Sequence, residues 1–128
     1  VYKRQIYANA GHWPAYLIGA QTDSAVQALP RTGLPLGIVN YATWGRAVAQ
    51  LAPSDVLVLY TDGITEARNS QGVFFDEDGL LESVQANLGR SAQAMKDAVI
   101  ADVEEFVGDA PQADDVALMV VVRGSMEE

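Results

Sequence analysis

The order of the hydrophobic patterns along this chain predicts an α+β fold, with mainly antiparallel sheets and with helices packed on one sheet face. Two observations support this prediction. Several strand-like segments with Gly and Pro between them occupy the chain up to Tyr60. Two segments with helical spacing follow, and one apolar strand completes the pattern. The 128 residues fit one domain, which we expect to be partial because a strand-like pattern begins within a few residues of Val1.

The first third of the chain predicts three strands and a loop. Segments 5–10 and 15–19 have strand-like patterns, and the Gly and Pro residues of segment 11–14 predict a hairpin between them. Residues 25–29 form a third candidate strand. Segment 32–38 carries two glycines and a proline among apolar residues, so we expect an ordered loop with apolar anchors.

The centre of the chain is dominated by the apolar run Val56–Tyr60, which predicts a strand buried on both faces. A turn signal at residues 53–55 precedes this run, and Asp62 with Gly63 follows it. Residues 41–51 also have a strand-like pattern, and we expect this segment to pair antiparallel with Val56–Tyr60. Residues 64–69 are polar and predict one helical turn.

Two helices are predicted after residue 75. Asp76 is the expected N-cap of the first, which stops before Gly89, and Ser91 is the expected N-cap of the second, which stops before Gly108. Each helix has an apolar stripe that should pack against the sheet. The stripes consist of Leu80, Leu81, Val84 and Leu88 in the first helix and of Met95, Val99, Val103, Phe106 and Val107 in the second.

The last predicted strand, Val116–Val122, follows two acidic residues, Asp114 and Asp115. Asp62 stands in a comparable place, after the other strongly apolar strand. If the two strands are neighbours, Asp62 and Asp114 can converge on one point. We expect residues 1–4 not to belong to the natural first strand, and we expect the charged residues 124–128 to form a frayed tail.

These acidic residues have two explanations on spacing alone. An Asp-Gly pair after an apolar run is often only a turn, because Gly tolerates positive φ and Asp can hydrogen-bond its own backbone. Paired carboxylates can instead bind hard cations and support metal-assisted hydrolysis of a phosphate ester. An aspartyl nucleophile of the D-x-D-G-T type is excluded because Tyr60 stands in the position of the first Asp. Glycoside cleavage is disfavoured because both Trp residues are far from these acids in sequence.

The composition restricts the partners. The chain has 17 acidic and 8 basic residues, a formal charge of −9 that repels nucleic acids and anionic membrane surfaces. The absence of Cys excludes disulfides, thiolate-bound zinc and a cysteine nucleophile, and it suits a cytoplasmic location. The single His leaves little for a nitrogen-rich site, so a bound metal should be Mg²⁺ or Mn²⁺ among oxygen ligands.

Four sequence blocks, in order, resemble the SpoIIE/RsbU-like branch of the metal-dependent PPM (PP2C-type) serine/threonine phosphatases. The resemblance covers nearly the whole chain, and the order of the blocks makes it specific. The blocks are Asn9-Ala10-Gly11-His12, Gly33-Leu34-Pro35-Leu36-Gly37, Leu59-Tyr60-Thr61-Asp62-Gly63-Ile64-Thr65-Glu66-Ala67 and Asp114-Asp115-Val116-Ala117-Leu118.

The resemblance implies a PP2C-like α-β-β-α sandwich with a binuclear Mn²⁺ or Mg²⁺ centre. It assigns Asp62 and Asp114 as metal ligands and gives supporting roles to Asp115, Gly63, Asn9 and His12. It also implies that a metal-bridging water attacks phosphoserine or phosphothreonine. The implied substrate is a phosphoprotein such as an anti-sigma-factor antagonist in bacterial signalling, and a sensor or receiver domain is expected upstream in the parent protein.

The chain departs from the family pattern in two places. The upstream Gly-Gly-Asp block, which carries further metal ligands in the family, has no counterpart here, so we expect this piece to be inactive alone and active within its complete domain. Asp76 follows Phe75 where relatives usually have Gly. Two alternatives remain: a non-catalytic binding module with the same fold, and an acidic α+β domain in which the Asp residues only make turns.

Overall fold

The computed structural model describes residues 3–20, 25–111 and 114–124. These residues form six strands and three helices, which confirms the α+β class and the antiparallel sheets. No helix among the described residues is long and apolar enough to cross a membrane. In chain order the elements are β1 (Lys3–Tyr7), β2 (Ala15–Ile18), β3 (Val26–Leu29), β4 (Ala47–Leu51), β5 (Val56–Tyr60), α1 (Asp62–Thr65), α2 (Asp76–Ala86), α3 (Ala92–Val107) and β6 (Leu118–Val122).

The described residues fall into two compact units. The first contains the residues up to Leu57 together with Arg123 and Gly124, and the second contains residues 58–122. Because β5 crosses this boundary, Val56 and Leu57 belong to the first unit and its last three residues to the second. Of the residues set aside at the two ends, 1, 2 and 125–128 lie outside the described part of the chain, whereas Lys3 and Arg4 belong to β1, so this strand begins earlier than predicted.

The first unit contains two antiparallel strand pairs, β1 with β4 and β2 with β3. Its core is an aliphatic cluster that includes Leu17, Leu29 and Leu51. The buried carboxylate of Asp55 accepts hydrogen bonds from the backbone N–H groups of Ala20 at 3.2 Å and Ala52 at 2.8 Å. These bonds compensate the burial of a charged group in the turn that precedes β5.

Two predicted strand pairings are wrong. The segment between β1 and β2 is not a hairpin turn, because its backbone pairs with residues 32–33 instead: Asn9 and Thr32 are hydrogen-bonded, and Ala10 forms a parallel bridge with Gly33. β1 therefore pairs with β4, in a register that places Ile6 opposite Val48. Among the described residues, β5 lies between β2 and β6 in the other sheet, so the expected pairing of β4 with β5 does not form. β4 is also shorter than predicted and begins at Ala47.

The loop at residues 32–38 is ordered, but its apolar residues are not anchors. Leu34, Leu36 and Ile38 are exposed. The loop is held by a hydrogen bond from the Trp44 Nε1–H group to the Leu34 carbonyl at 2.7 Å and by a close approach to residue 11. A Cβ atom at position 11 would lie 2.3 Å from Cγ of Pro35, and φ there is +79°, so only glycine fits.

In the second unit, β5 lies beside β6 in the sheet, and α3 packs against β6 and α2. Val58 and Tyr60 of β5 are buried, whereas Leu59 is half-buried, so the prediction of burial on both faces is correct for one face only. The predicted helix stripes are confirmed in their central positions. Leu80, Val84, Met95 and Val99 have no exposed surface.

The helix boundaries follow the sequence with three corrections, the first of which is that α2 ends at Ala86, so Leu88 lies beyond it. The hydroxyl of Ser91 accepts the Ala94 N–H group at 3.1 Å, which confirms Ser91 as the N-cap of α3. Phe75, rather than Asp76, precedes α2 as its N-cap. Asp76 has a φ of +63°, a left-handed conformation that favours glycine, and its Oδ1 accepts the N–H group of Glu77 at 2.8 Å. The expected turn at residues 64–69 begins earlier, as the single turn α1.

Candidate functional site

Asp62 lies at the junction between a buried strand and a short helix. β5 ends at Tyr60, Thr61 is the N-cap of α1, and Asp62 is the first residue of that helix. The backbone carbonyl of Asp62 accepts the Glu66 N–H group at 2.8 Å, and its side chain is half-buried. The backbone of Asp62 is thus fixed on both sides by regular structure, as a ligand residue requires.

Asp114 lies in the segment that leads into β6. It is exposed, and its Oδ1 accepts the backbone N–H group of Asp115 at 2.7 Å. Asp115 is also exposed. The strand β6 begins at Leu118, later than predicted, so both acids precede the strand by several residues.

The structure brings the Asp62 segment and the Asp114 segment into direct contact. The N–H group of Thr61 donates to the carbonyl oxygen of Ala117 at 3.1 Å. Gly63 lies so close to the other segment that a Cβ atom there would be 2.1 Å from the carbonyl oxygen of Asp115. The sequence analysis expected Asp62 and Asp114 to converge if β5 and β6 are neighbouring strands, and these two strands are neighbours.

A groove of about 390 Å³ opens next to this contact. Gly63 and Asp114 are among its lining residues, and Val103 and Val107 of α3 contribute apolar surface. Glu66, Arg68 and Glu104 also line it, together with Ala67, Ile100, Gly108, Ala110, Pro111 and Val116. The groove therefore combines an apolar surface with several charged side chains.

The donor chemistry at this contact fits a hard cation but does not complete its coordination. Asp62, Asp114 and Asp115 offer carboxylate oxygens, which Mg²⁺ and Mn²⁺ prefer. Among the described residues, no three His, Cys, Asp or Glu side chains form a group that could hold a metal ion. Since Mg²⁺ requires about six oxygen ligands, these residues can provide only part of a coordination shell.

Asn9 and His12 belong to the first unit, where both have structural contacts. The Oδ1 atom of Asn9 accepts the His12 N–H group at 2.8 Å, and the Asn9 N–H group donates to Oγ1 of Thr32 at 2.8 Å. The exposed ring of His12 has its Nδ1 atom 3.0 Å from the carbonyl oxygen of Trp13. These bonds order the loops around residues 9–12 and 32–35.

Thr61 is a part of this site that the sequence analysis did not single out. Its side chain bridges the same two segments, with hydrogen bonds to Asp115 and Ala117. A hydroxyl residue directly before an acidic helix start is a signal that could have identified it, because such a residue is normally expected to cap the helix.

Comparison with solved structures identifies the fold as that of PP2C phosphatase domains. The SiaA-PP2C domain of Pseudomonas aeruginosa superposes with a TM-score of 0.78 at 20% identity, over 93% of this chain and 46% of that chain. The phosphatase domain of SpoIIE from Bacillus subtilis, presoaked with manganese, gives a TM-score of 0.65 at 19% identity, over 99% of this chain and 52% of that chain.

Sequence comparison then defines the family. The family model described as stage II sporulation protein E (SpoIIE) matches residues 2–124, so the chain belongs to the SpoIIE family. It is also 34% identical over 89 residues to the phosphoserine phosphatase RsbU of Bacillus subtilis, which covers 70% of this chain. The chain spans 26% of the length of that relative. The resemblance that the four sequence blocks suggested is thereby confirmed.

Proposed function

We propose that this chain is part of a metal-dependent protein phosphatase that hydrolyses phosphoserine or phosphothreonine, with Asp62 and Asp114 as metal ligands. The observation that carries the proposal is the contact between residues 61–63 and 115–117, which holds the two acidic segments together. Membership of the SpoIIE family and the similarity to a phosphoserine phosphatase support the reaction class.

The charges explain why such a site needs cations. A phosphorylated side chain carries nearly two negative charges at neutral pH, and Asp62, Asp114 and Asp115 would repel it. Mn²⁺ or Mg²⁺, when bound, would neutralise this charge, polarise the phosphoryl group and lower the pKa of a water molecule. The protein contributes carboxylate oxygens on a fixed backbone, in which Gly63 and Asp115 are in direct contact. Asn9 and His12 would support the loops around residues 9–12 and 32–35 of the first unit.

The proposed substrate is a phosphoprotein of the anti-sigma-factor-antagonist type, dephosphorylated in the bacterial cytoplasm under control of an upstream sensor or receiver domain. RsbU, the similar phosphoserine phosphatase, supports the phosphoserine part of this proposal. Because the described residues contain only part of a metal shell, we propose that the remaining ligands come from the rest of the domain and that this chain is inactive alone.

The test combines cation binding by this chain with activity of the completed domain. At a Mn²⁺ concentration about ten times the dissociation constant, binding to the native state should stabilise the chain by about 1.4 kcal/mol. Asp62→Asn and Asp114→Asn should remove this stabilisation and, in the completed domain, the Mn²⁺-dependent release of phosphate from an aryl phosphate. Asp97→Asn makes the same change of charge at an exposed position on α3 and should alter neither. Full activity in either ligand variant would disprove the assignment.

A further inference from the structure

Thr61 uses its side chain in a way that its position does not lead one to expect. A Thr at the N-cap of a helix usually accepts a hydrogen bond from a backbone N–H group of the first turn. In the described part of the chain, Thr61 makes no such bond, although it is the N-cap of α1. Its backbone is nevertheless suited to capping, with a φ of −100° and a ψ of 162°.

The hydroxyl of Thr61 instead joins the residue after β5 to the segment that precedes β6. Oγ1 donates to the carbonyl oxygen of Asp115 at 3.2 Å and accepts the N–H group of Ala117 at 3.0 Å. The backbone N–H group of Thr61 donates to the carbonyl oxygen of Ala117 at 3.1 Å. Three hydrogen bonds from one residue therefore fix the segment that follows Asp114. The hydroxyl oxygen donates and accepts at the same atom, and Ser places a hydroxyl at the same position, so Ser can keep both bonds.

This arrangement links the positions of the two acidic residues. Thr61 directly precedes Asp62, and Asp115 directly follows Asp114. Gly63, which directly follows Asp62, leaves no room for a Cβ atom against the Asp115 carbonyl group. The carbonyl oxygen of Asp115 is therefore held between a donor hydroxyl at position 61 and the bare backbone at position 63.

We propose that Thr61 is a positioning residue, whose hydroxyl fixes the Asp114–Asp115 segment against Asp62 and thereby sets the spacing of the two carboxylates. The metal-related part of this inference rests on the proposed function. Residues that orient ligands through hydrogen bonds typically change metal affinity by about 10- to 100-fold when they are removed. Thr61 acts on the backbone next to the ligands, so we expect an effect near the lower limit.

The test compares Thr61→Val with Thr61→Ser in the 128-residue chain, using nuclear magnetic resonance. Val has nearly the same shape as Thr but cannot form either side-chain hydrogen bond, whereas Ser can form both. The first readout is the rate of hydrogen exchange at the Ala117 amide, measured relative to the rate at the amide of Val99, a buried residue of α3. The second is the broadening of amide signals from residues 61–63 and 114–117 by millimolar Mn²⁺.

In Thr61→Val, the Ala117 amide should exchange about tenfold faster relative to Val99, since its acceptor is gone. The Mn²⁺ concentration at which the amide signals reach half of their maximal broadening should rise by about 10-fold. Thr61→Ser should match the native chain in both readouts. Ser83→Ala serves as the control, because it removes a buried hydroxyl that bonds to Asp102 at 2.5 Å, between α2 and α3. It should lower stability without changing either readout.

The possible failures are distinguishable. If Thr61→Val behaves like Ser83→Ala in both readouts, the positioning role is disproved while the metal site stands. If the Ala117 amide changes but the Mn²⁺ response does not, the hydroxyl is only a structural bridge and the inference is again overturned. If millimolar Mn²⁺ broadens none of these signals in the native chain, the proposed metal site itself is wrong.

Discussion

The close approach of Gly63 to Asp115 leads to a quantitative prediction for Gly63→Ala. The new Cβ atom would lie 2.1 Å from the Asp115 carbonyl oxygen and 2.7 Å from its carbonyl carbon. A normal contact requires more than 3 Å, so one of the two backbone segments must move by about 1 Å. Overpacking typically costs 1–3 kcal/mol, and we expect about 3 kcal/mol here because the obstructing atoms belong to the backbone.

Helix propensity acts in the opposite direction. Gly63 lies within α1, where replacement of Gly by Ala normally stabilises a helix by about 1 kcal/mol. The net loss of unfolding free energy should therefore be about 2 kcal/mol, which lowers the melting temperature by roughly 8 °C for a domain of this size. Urea unfolding monitored by circular dichroism measures the loss directly.

Gly45→Ala is the matched control. A Cβ atom at position 45 would have its nearest neighbour, the Thr32 carbonyl oxygen, at 3.4 Å, an ordinary contact. This variant should change the unfolding free energy by less than about 0.5 kcal/mol. If Gly63→Ala were as stable as the native chain, the residue 61–63 and 115–117 segments could not be in contact as described. The structural basis for a shared Asp62–Asp114 site would then be lost.

Substitutions at two further positions test the helix starts. Asp76→Ala should lower the unfolding free energy by about 1–2 kcal/mol in urea unfolding, because Ala keeps the strain of a positive φ and loses the hydrogen bond to the Glu77 N–H group. Asp76→Gly also loses this bond but relieves the strain, so its cost should be smaller. The opposite order would show that the left-handed conformation is not adopted. Ser91→Ala should cost about 1 kcal/mol by loss of the N-cap bond, and Ser91→Asp should retain most of the stability. Equal stability of Ser91→Ala and the native chain would contradict the capping role.

The helices and the buried strand could be predicted because their signals are local. Ser91 and Gly108 bound α3 as expected, since a cap depends on residues within one turn. The apolar run of β5 was likewise sufficient to define a strand. The pairing of β1 with β4 could not be predicted, because segments 40 or more positions apart in the chain carry no pairing signal.

The candidate site was predictable in part for the same reason. Asp62 and Asp114 stand out as carboxylates beside apolar strands, and the neighbouring positions of β5 and β6 agree with that prediction. The hydrogen bonds of Thr61 depend on which atoms the other segment presents, and composition does not encode that geometry. Asp76 is an instructive case, because its backbone φ of +63° favours glycine, the residue that the family resemblance implies at this position.

The first unit is formed by two segments that are far apart in the chain, and this has a consequence for synthesis on the ribosome. Arg123, which follows β6, belongs to the same unit as the N-terminal strands: its N–H group donates to the Asp55 carbonyl oxygen at 3.0 Å, and its guanidinium group donates to the carbonyl of Leu51, 72 positions earlier. The emerging N-terminal strands therefore cannot make these bonds until translation has passed residue 123. Residues 58–122, which form the second unit, lie between the two parts of the first unit, so the bonds that complete the first unit can form only after the second unit has been synthesised.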